Sequence, residues 1–598
     1  MNTEWSLSCL YQGYDDPAFA ADMKAAENMI EELRAYLTGI SERTEEEGAA
    51  WLINWLENYS TTFSNLSIYV SLRASTNTTD SETTAWDGKL MQLNSSVSKE
   101  LAMVEKYLAG LSNLEGLEEK NPVVKEYDFY LRELKENASH MLSDEVEEVI
   151  SKLNQSAGAA WEQMQQYLTS TVTANFRGEE VTLSKVRNMA YSEDASVRKD
   201  AYEAELACYD KIKDAIAFSM NNLKSQVNTI VELRGYESAL DKTLKQSRMK
   251  KETLDAMLTA MKEYLPKFHE YLRAKAKLLG YQNGLPWYDL FAPVGECGKK
   301  YTLKEAKEYL ISHFEGFAPD LAEMIRKAFD EEWIDFYSRA GKVGGAFCCH
   351  IPSKKQSRIL TNYDGSLSDI VTLAHELGHA YHDRQIEDQR PLNLDYPMQV
   401  AETASTFNET VIMNAAIAEA KGGVKLALLE SRLQDTTQII CDIYSRFLIE
   451  NAVFEGRKER FFFAKDLCGL MVDAQKQAYG DGLDPEYLHP YMWACKSHYY
   501  SASLSYYNFP YAFGGLFARG LYAQYEKEGE SFLPKYRALL KATTVKKVED
   551  VAAMADIDIT KPDFWRESLA SIAKEIDEFV ALADECADKK AKKSLPVT

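Results

Sequence analysis

Apolar residues recur at three- and four-residue spacing through most of this chain, which predicts a mainly α fold. Residues 15 to 118 read as long amphipathic helices, for example the stretch Asp22 to Tyr36. A second helical block runs from about Tyr127 to Thr169. Within it Ser143 is placed to cap a helix whose first turn carries Asp144 and Glu145, where the helix dipole favours acids. The segment 171–183 (TVTANFRGEEVTL) breaks the period and predicts a hairpin turning at Arg177-Gly178. Helical period resumes from Ser192 to Leu279. Two short apolar or β-branched runs, Lys342 to Ile351 and Ser357 to Tyr363, are bounded by Gly, Pro and Asp and predict strands. They stand directly before a strongly apolar helical stretch, so a small sheet is expected beside that helix. From Pro397 to about Ala587 the pattern is helix-rich, and the chain contains neither internal repeats nor low-complexity segments.

Composition narrows the classes. Hydrophobic residues make up 45% and charged residues 27%, ordinary globular proportions that permit a sizeable core without disulfides. The formal charge is −24, from 92 acids against 68 bases, which argues against nucleic acid as a partner because phosphate binding needs clustered cations. No apolar run approaches the roughly 18–20 residues that span a bilayer, so no membrane segment is expected. The first residues, MNTEWSLSCLYQGYDDPAF, lack the basic and apolar regions of a secretory signal. The nine cysteines, Cys297 among them, are odd in number and form no CxxC, which disfavours a disulfide framework or a thiolate metal site. Adjacent Cys348 and Cys349 would face opposite sides of a strand. These features together predict a cytoplasmic protein. The final residues 588–598 (DKKAKKSLPVT) read as a flexible, solvated tail.

The candidate chemistry centres on His375-Glu376-Leu377-Gly378-His379. On a helix the two histidines are about 40° apart around the axis and roughly 6 Å apart along it, so both imidazoles can reach one ion. Glu376 projects beside them, where it can deprotonate a metal-bound water instead of binding the metal. Asp364-Gly365-Ser366 supplies the turn and the cap, so the helix is expected to start there. Two histidines on a solvated helix by chance is the bland reading. Against it stand Ile370, Val371, Leu373, Ala374, Leu377, Ala380 and Tyr381, which mark the helix as buried, where unpaired polar groups cost several kcal/mol.

A third ligand is required. A third histidine six residues past His379 would complete a longer zinc motif, but that position holds Gln385. His382 lies about 10 Å from His375 along the axis, which suits an outer-shell or substrate contact or, equally, a buried structural histidine. In MQVAETASTFNET, residues Val400, Ala404, Phe407 and Val411 form one apolar stripe, leaving Glu402 and Glu409 on another face. Glu402 can ligate while Glu409 holds a histidine's outer ring nitrogen, or the two can belong to a solvated acidic face.

In these residues the chain resembles the M3 family of metallopeptidases and, within it, the oligoendopeptidase F branch. The resemblance is carried by TNYDGSLSDIVTLAHELGHAYH, VAETASTFNE and the C-terminal HYYSASLSYYNFPYAFGGLF, with HMLSDEVEEVISKLNQSAGAAW resembling that branch's N-terminal domain. It covers roughly residues 115 to 585. It implies a multi-lobed, almost all-helical fold with a deep central substrate channel and one zinc ion per chain. It implies an N-terminal helical region over 1–195 (oligopeptidase F-like from about 115) and a catalytic domain over 196–587. It makes Glu402 the third ligand, and it turns His498, with Tyr507 and Tyr511, toward the substrate. Read without it, that tyrosine-rich stretch is ordinary amphipathic packing.

The expected activity is hydrolysis of internal bonds in short unstructured peptides, with Glu376 as base and His498, Tyr507 or Tyr511 as donors to the oxyanion. The strand around Gly344 to Cys348 can pair with a peptide backbone, and Gly344 and Gly345 would permit close approach, although a plain turn fits them equally. The rival readings are a metallocarboxypeptidase with a basic group for the substrate's terminal carboxylate, and a helical scaffold with a structural metal.

Overall fold

A computed structural model describes residues 2–295 and 298–594, with side chains through Cys586; Cys297 lies outside the described residues. The chain divides into two compact units, each assembled from separated stretches of sequence.

The first unit comprises Met1–Met141, Lys299–Ile412 and Glu528–Ala555. It opens with three long helices, Pro17–Thr38, Glu45–Thr76 and Ser81–Ala109. Each begins at a polar cap: Asp16 ahead of a proline, Thr44 in a reciprocal box with Glu47, and Asp80. Their apolar stripes meet around Phe19, Leu33, Leu52, Leu66, Val97 and Val104, all fully buried.

This unit also holds a three-stranded sheet. Its strands follow a hairpin in the second unit, whose strands we number first: β1 Thr173–Phe176 and β2 Glu179–Thr182. The sheet contains β3 Ile334–Asp335, β4 Phe347–Ile351 and β5 Gln356–Leu360, in the order β3-β5-β4, with β4 antiparallel and β3 parallel to β5. Here the expected boundaries shift. The run from Lys342 becomes a strand only at Phe347, because side chains take the place of a ladder before it. Lys342 Nζ binds buried Asp335 (2.6 Å) and the Thr361 carbonyl (2.6 Å), and Asn362 Nδ2 donates to the carbonyls of Val343 and Gly345. Gly344 and Gly345 therefore lie in a bend outside the strand, with Gly345 at φ +80°. β3 has only two residues and no periodicity to reveal it.

The helix Leu367–Ile386 follows β5 and packs on β4, β5 and the helix Leu533–Ala542. Ser366 caps it in a reciprocal box with Asp369, as the turn residues predict, and Gly365 before it takes φ +94°. Leu373, Ala374, Leu377, Ala380 and Tyr381 are buried.

The second unit comprises Leu142–Gly298, Met413–Lys527 and Asp556–Thr598. Its hairpin turns at Arg177 (φ 52°) and Gly178 (φ 91°), left-handed at both central positions as a tight two-residue turn requires. The block expected between Tyr127 and Thr169 is three helices: Asp128–Ala138, which belongs to the first unit, and Asp144–Ser156 and Gly158–Thr171 in the second. Ser143 occupies the cap position without a side-chain cap bond, and Leu142 N–H donates instead to Glu147. Lys251–Leu279 packs along Pro562–Ser594, which continues helically into the stretch read as a tail. No helix among the described residues is long and apolar enough to cross a membrane, and the eight cysteines described are free thiols.

Candidate metal centre

In the first unit, His375 and His379 present their Nε2 atoms 3.2 Å apart. Glu402 Oε2 stands 3.3 Å from the former and 3.4 Å from the latter. Three donors at the corners of a tetrahedron, each about 2.0–2.2 Å from a central ion, are separated by about 3.3–3.6 Å. The triangle formed by these atoms has nearly that size, and its two nitrogens and one carboxylate oxygen are borderline-soft donors of the kind zinc takes. The residues present fit a zinc ion.

The surroundings reinforce the fit. Glu409 Oε1 lies 2.6 Å from His375 Nδ1, which places the proton on Nδ1 and directs the Nε2 lone pair toward the other donors. Ser405 Oγ donates to Glu402 Oε2 at 2.7 Å. Burial lowers the pKa of His375, but the hydrogen bond and charge of Glu409, with Glu402 and Glu376 beyond, outweigh it and raise it to about 9. Burial raises that of Glu402, yet His379, His375 and Ser405 bring it down to about 2. The pocket thus favours a positive charge at its centre.

Glu376, only 5% exposed, belongs to the same cluster but has a different environment. Burial pushes its carboxyl pKa upward even though both histidines pull it down. None of its oxygens is hydrogen-bonded within the described structure. A carboxylate so placed is suited to carrying a proton.

Two residues that the sequence reading missed hold this geometry together. Gly378, inside the motif, lets the helix meet the backbone of the next segment: a Cβ there would lie 2.5 Å from Ser405 Cα and 2.6 Å from Ala404 O. Asn408, buried on that segment, donates Nδ2 to the Ala374 carbonyl at 3.1 Å. The segment is also less regular than its apolar stripe suggests. Met398–Ala401 is a short helix ending at Glu402 (φ −88°, ψ 9°), and a second helix runs Thr403–Glu419. Ile412 is buried there, whereas Val411 is half-buried. A glycine in an otherwise apolar helix was the available signal for Gly378; Asn408 offers none.

His382 is fully buried and its Nε2 meets Thr543 Oγ1 (2.9 Å) and the Leu540 carbonyl (3.2 Å), while its ring stacks on Tyr396. Burial lowers its pKa to about 3, so it is neutral. Its hydrogen bonds fasten the motif helix to Leu533–Ala542 and reach none of the metal-site donors. Cys348 and Cys349 turn apart, the first toward Asp383 and the second toward the His350 carbonyl.

In the second unit, the tyrosines of the C-terminal motif separate into two groups. Tyr499, Tyr500 and Tyr506 are buried packing residues. His498, Tyr507 and Tyr511 instead form a half-exposed cluster. His498 lies 5.1 Å from Tyr507 and 6.0 Å from Tyr511 between ring centroids, and Tyr511 Oη is 3.4 Å from His498 Nε2. Burial and then the cations Arg446 and Lys496 lower the His498 pKa, which keeps the ring neutral.

A buried clamp shapes this cluster. Tyr506 has φ +54° and packs on Phe447 and Phe454, turning Tyr507 the other way. Glu450 accepts from Tyr506 N–H (3.1 Å) and Asn508 Nδ2 (2.7 Å), and its charge is met by buried Lys224 at 2.7 Å. Lys224 and Glu450 are 226 positions apart and carried no sequence signal.

Known proteins resemble this chain over most of its length. The chain is 26% identical over 509 residues to the group B oligopeptidase PepB of Streptococcus agalactiae, covering 83% of this chain and 84% of that one. It is 24% identical over 472 residues to oligopeptidase PepF of Bacillus subtilis, covering 77% and 69%. Among solved structures, oligoendopeptidase-F from Enterococcus faecium aligns with a TM-score of 0.69 at 20% identity, covering 94% and 100% of the two chains. A Chlamydophila abortus protein reaches 0.83 at 19%, covering 97% and 98%. At such identities the structures speak for the fold alone. The sequence model for Oligopeptidase F matches residues 105–173, and that for Peptidase family M3 matches residues 188–571. The latter stretch is well over half the chain and contains the histidine pair, Glu376, both further glutamates and the tyrosine cluster, so the chain belongs to peptidase family M3.

Proposed function

We propose that this peptidase is a zinc-dependent oligoendopeptidase that hydrolyses internal bonds of short unstructured peptides. The observation that carries the zinc assignment is the triangle of His375 Nε2, His379 Nε2 and Glu402 Oε2 with edges of 3.2, 3.3 and 3.4 Å. These three atoms would hold the ion. Zinc, when bound, supplies a Lewis acid that acidifies water and polarises a carbonyl. Glu409 fixes the tautomer of His375. Glu376, buried and free of hydrogen bonds, takes the proton of the attacking water and delivers it to the leaving amine. The assignment of His498, Tyr507 and Tyr511 to hydrogen bonds with the developing oxyanion rests on the family motif; a neutral imidazole and two phenols are suitable donors.

Substrate binding in this reading uses β4. It lies at the edge of its sheet and packs beside the motif helix, so its outer side can add an extended peptide as a strand. Main-chain pairing gives affinity with little demand on sequence, and the Gly344-Gly345 bend that leads into β4 allows close approach of the peptide backbone. The endopeptidase part of the reading draws on the relatives named oligopeptidase and oligoendopeptidase F.

Mass spectrometry of products from a mixed peptide library, with and without a chelator, tests the whole reading. Internal cleavage of peptides of several to about twenty residues, abolished by chelation and restored by zinc, is expected. Release of single C-terminal residues alone would favour the carboxypeptidase alternative, and chelator-resistant cleavage would exclude the metal centre.

A further inference from the structure

A concave site lies within the second unit, with Lys496, two residues before His498, in its wall. It is a cavity of about 190 Å³. That is room for about six waters at roughly 30 Å³ each, or for one terminal amino-acid residue. Trp287, Tyr288 and Tyr202 are buried in its walls, and Phe291 completes an aromatic lining.

The charges around it do not balance. Arg198 is neutralised by Asp289 at 2.6 Å, and Arg187 by Glu205 at 3.1 Å. Lys496 also lines the cavity, yet no carboxylate among the described residues lies within ion-pair distance of it. Asp442, the acid whose charge acts on it, is already paired with Arg446. Cys495 beside it donates its S–H to the Met492 carbonyl at 3.6 Å. Burial holds the Lys496 pKa below the ordinary lysine value, with Asp442 and Cys495 pulling it up and Arg446 and Arg187 pushing it down. A part-buried ammonium without a counter-charge is costly.

Two further groups are unfinished. Among the described residues the guanidinium of Arg187 donates from Nη1 only, to Glu205 and Tyr209, leaving Nη2 to donate. His489, 1% exposed, is held by Glu205 at Nε2 (3.1 Å), while its buried Nδ1 has no partner. With the proton on Nε2, Nδ1 offers a lone pair to an N–H donor.

We propose that this cavity binds the C-terminal residue of a peptide. Lys496 and Arg187 Nη2 receive its carboxylate, and the aromatic walls take an apolar or aromatic side chain. The proposal deepens the peptidase reading above and rests on it for the identity of the ligand. It adds a preference for peptides with a free, apolar C-terminus.

The test uses the full-length protein. Calorimetric titration with N-acetyl-L-phenylalanine and with its amide should show the acid binding at least about tenfold more tightly, as loss of a charge-assisted pair implies. Lys496→Met should abolish that preference, while Lys496→Arg, which keeps the charge, should retain most of it. Matched peptides ending in phenylalanine as acid or amide should show the same preference in KM. Equal affinity for acid and amide, binding of neither, or an undiminished preference in Lys496→Met overturns the site whatever the turnover. Acid-selective binding with neither peptide hydrolysed would overturn the peptidase reading of the metal centre and leave the cavity standing.

Discussion

Gly378→Ala sets two effects of one methyl group against each other. In an isolated helix the change stabilises by about 0.5–1 kcal/mol, because glycine has more conformational freedom to lose. Here the new Cβ would meet Ser405 Cα at 2.5 Å, Ala404 O at 2.6 Å and Ala404 C at 2.8 Å. Carbon atoms rest about 3.5–4.0 Å apart, so the two segments must separate by about 1 Å. Backbone cannot swing aside as a flexible side chain does, and such overpacking costs about 1–3 kcal/mol. The clash should outweigh the propensity gain, giving a net loss of about 1–2 kcal/mol. The larger consequence falls on the metal. Glu402 lies two residues before Ala404, so a retreat of about 1 Å opens its 3.3 and 3.4 Å edges beyond the roughly ±0.2 Å tolerance of a metal site. Zinc affinity should fall by at least about 10–100-fold, the scale seen when a supporting residue is lost. Metal-buffered competition titration reads the affinity, and thermal melting of the metal-free protein reads the stability. Gly469→Ala is the control: it lies in the helix Ala464–Tyr479 with open space where its Cβ would go, and should melt slightly higher with zinc affinity unchanged. If Gly378→Ala binds zinc like the wild type and also melts higher, close backbone packing is not what aligns Glu402 with the histidines.

Three further outcomes are expected. Glu376→Gln should abolish turnover while the protein still takes up about one zinc per chain; metal loss, or retained turnover, would remove it from the role of base. Glu402→Ala should weaken zinc retention strongly and Glu409→Ala less, by about 10–100-fold, since the first supplies a donor atom and the second orients one; metal titration showing the opposite order would reverse the two roles. His498→Ala and Tyr507→Phe should each lower kcat by about 10- to 1,000-fold with modest change in KM and normal zinc content. Tyr511→Phe, assayed alongside, decides which phenol matters, and near-normal rates in both tyrosine variants would assign the oxyanion donors elsewhere.

Features that depend on a few neighbouring residues were legible in the sequence. Ser366 caps the motif helix because Asp369 sits three positions on, and Arg177-Gly178 turns the hairpin because that turn demands left-handed backbone at both places. The spacing of His375 and His379 determined that their Nε2 atoms could converge, and the next helix offered Glu402 and Glu409. Where the reading went astray, side chains distant in sequence had replaced local pattern. Lys342, Asp335 and Asn362 hold the Gly344-Gly345 bend out of the strand. The tertiary structure alone decided which tyrosines pack and which cluster with His498, because Lys224 and Glu450 meet across 226 positions to fix the backbone of Tyr506. It alone decided that one oxygen of Glu402 comes within 3.4 Å of both histidines, because that depends on two backbones touching at Gly378. Helical period specifies the direction in which a side chain leaves its own helix; the distance to a donor on another helix is set by packing between them, which no local pattern encodes.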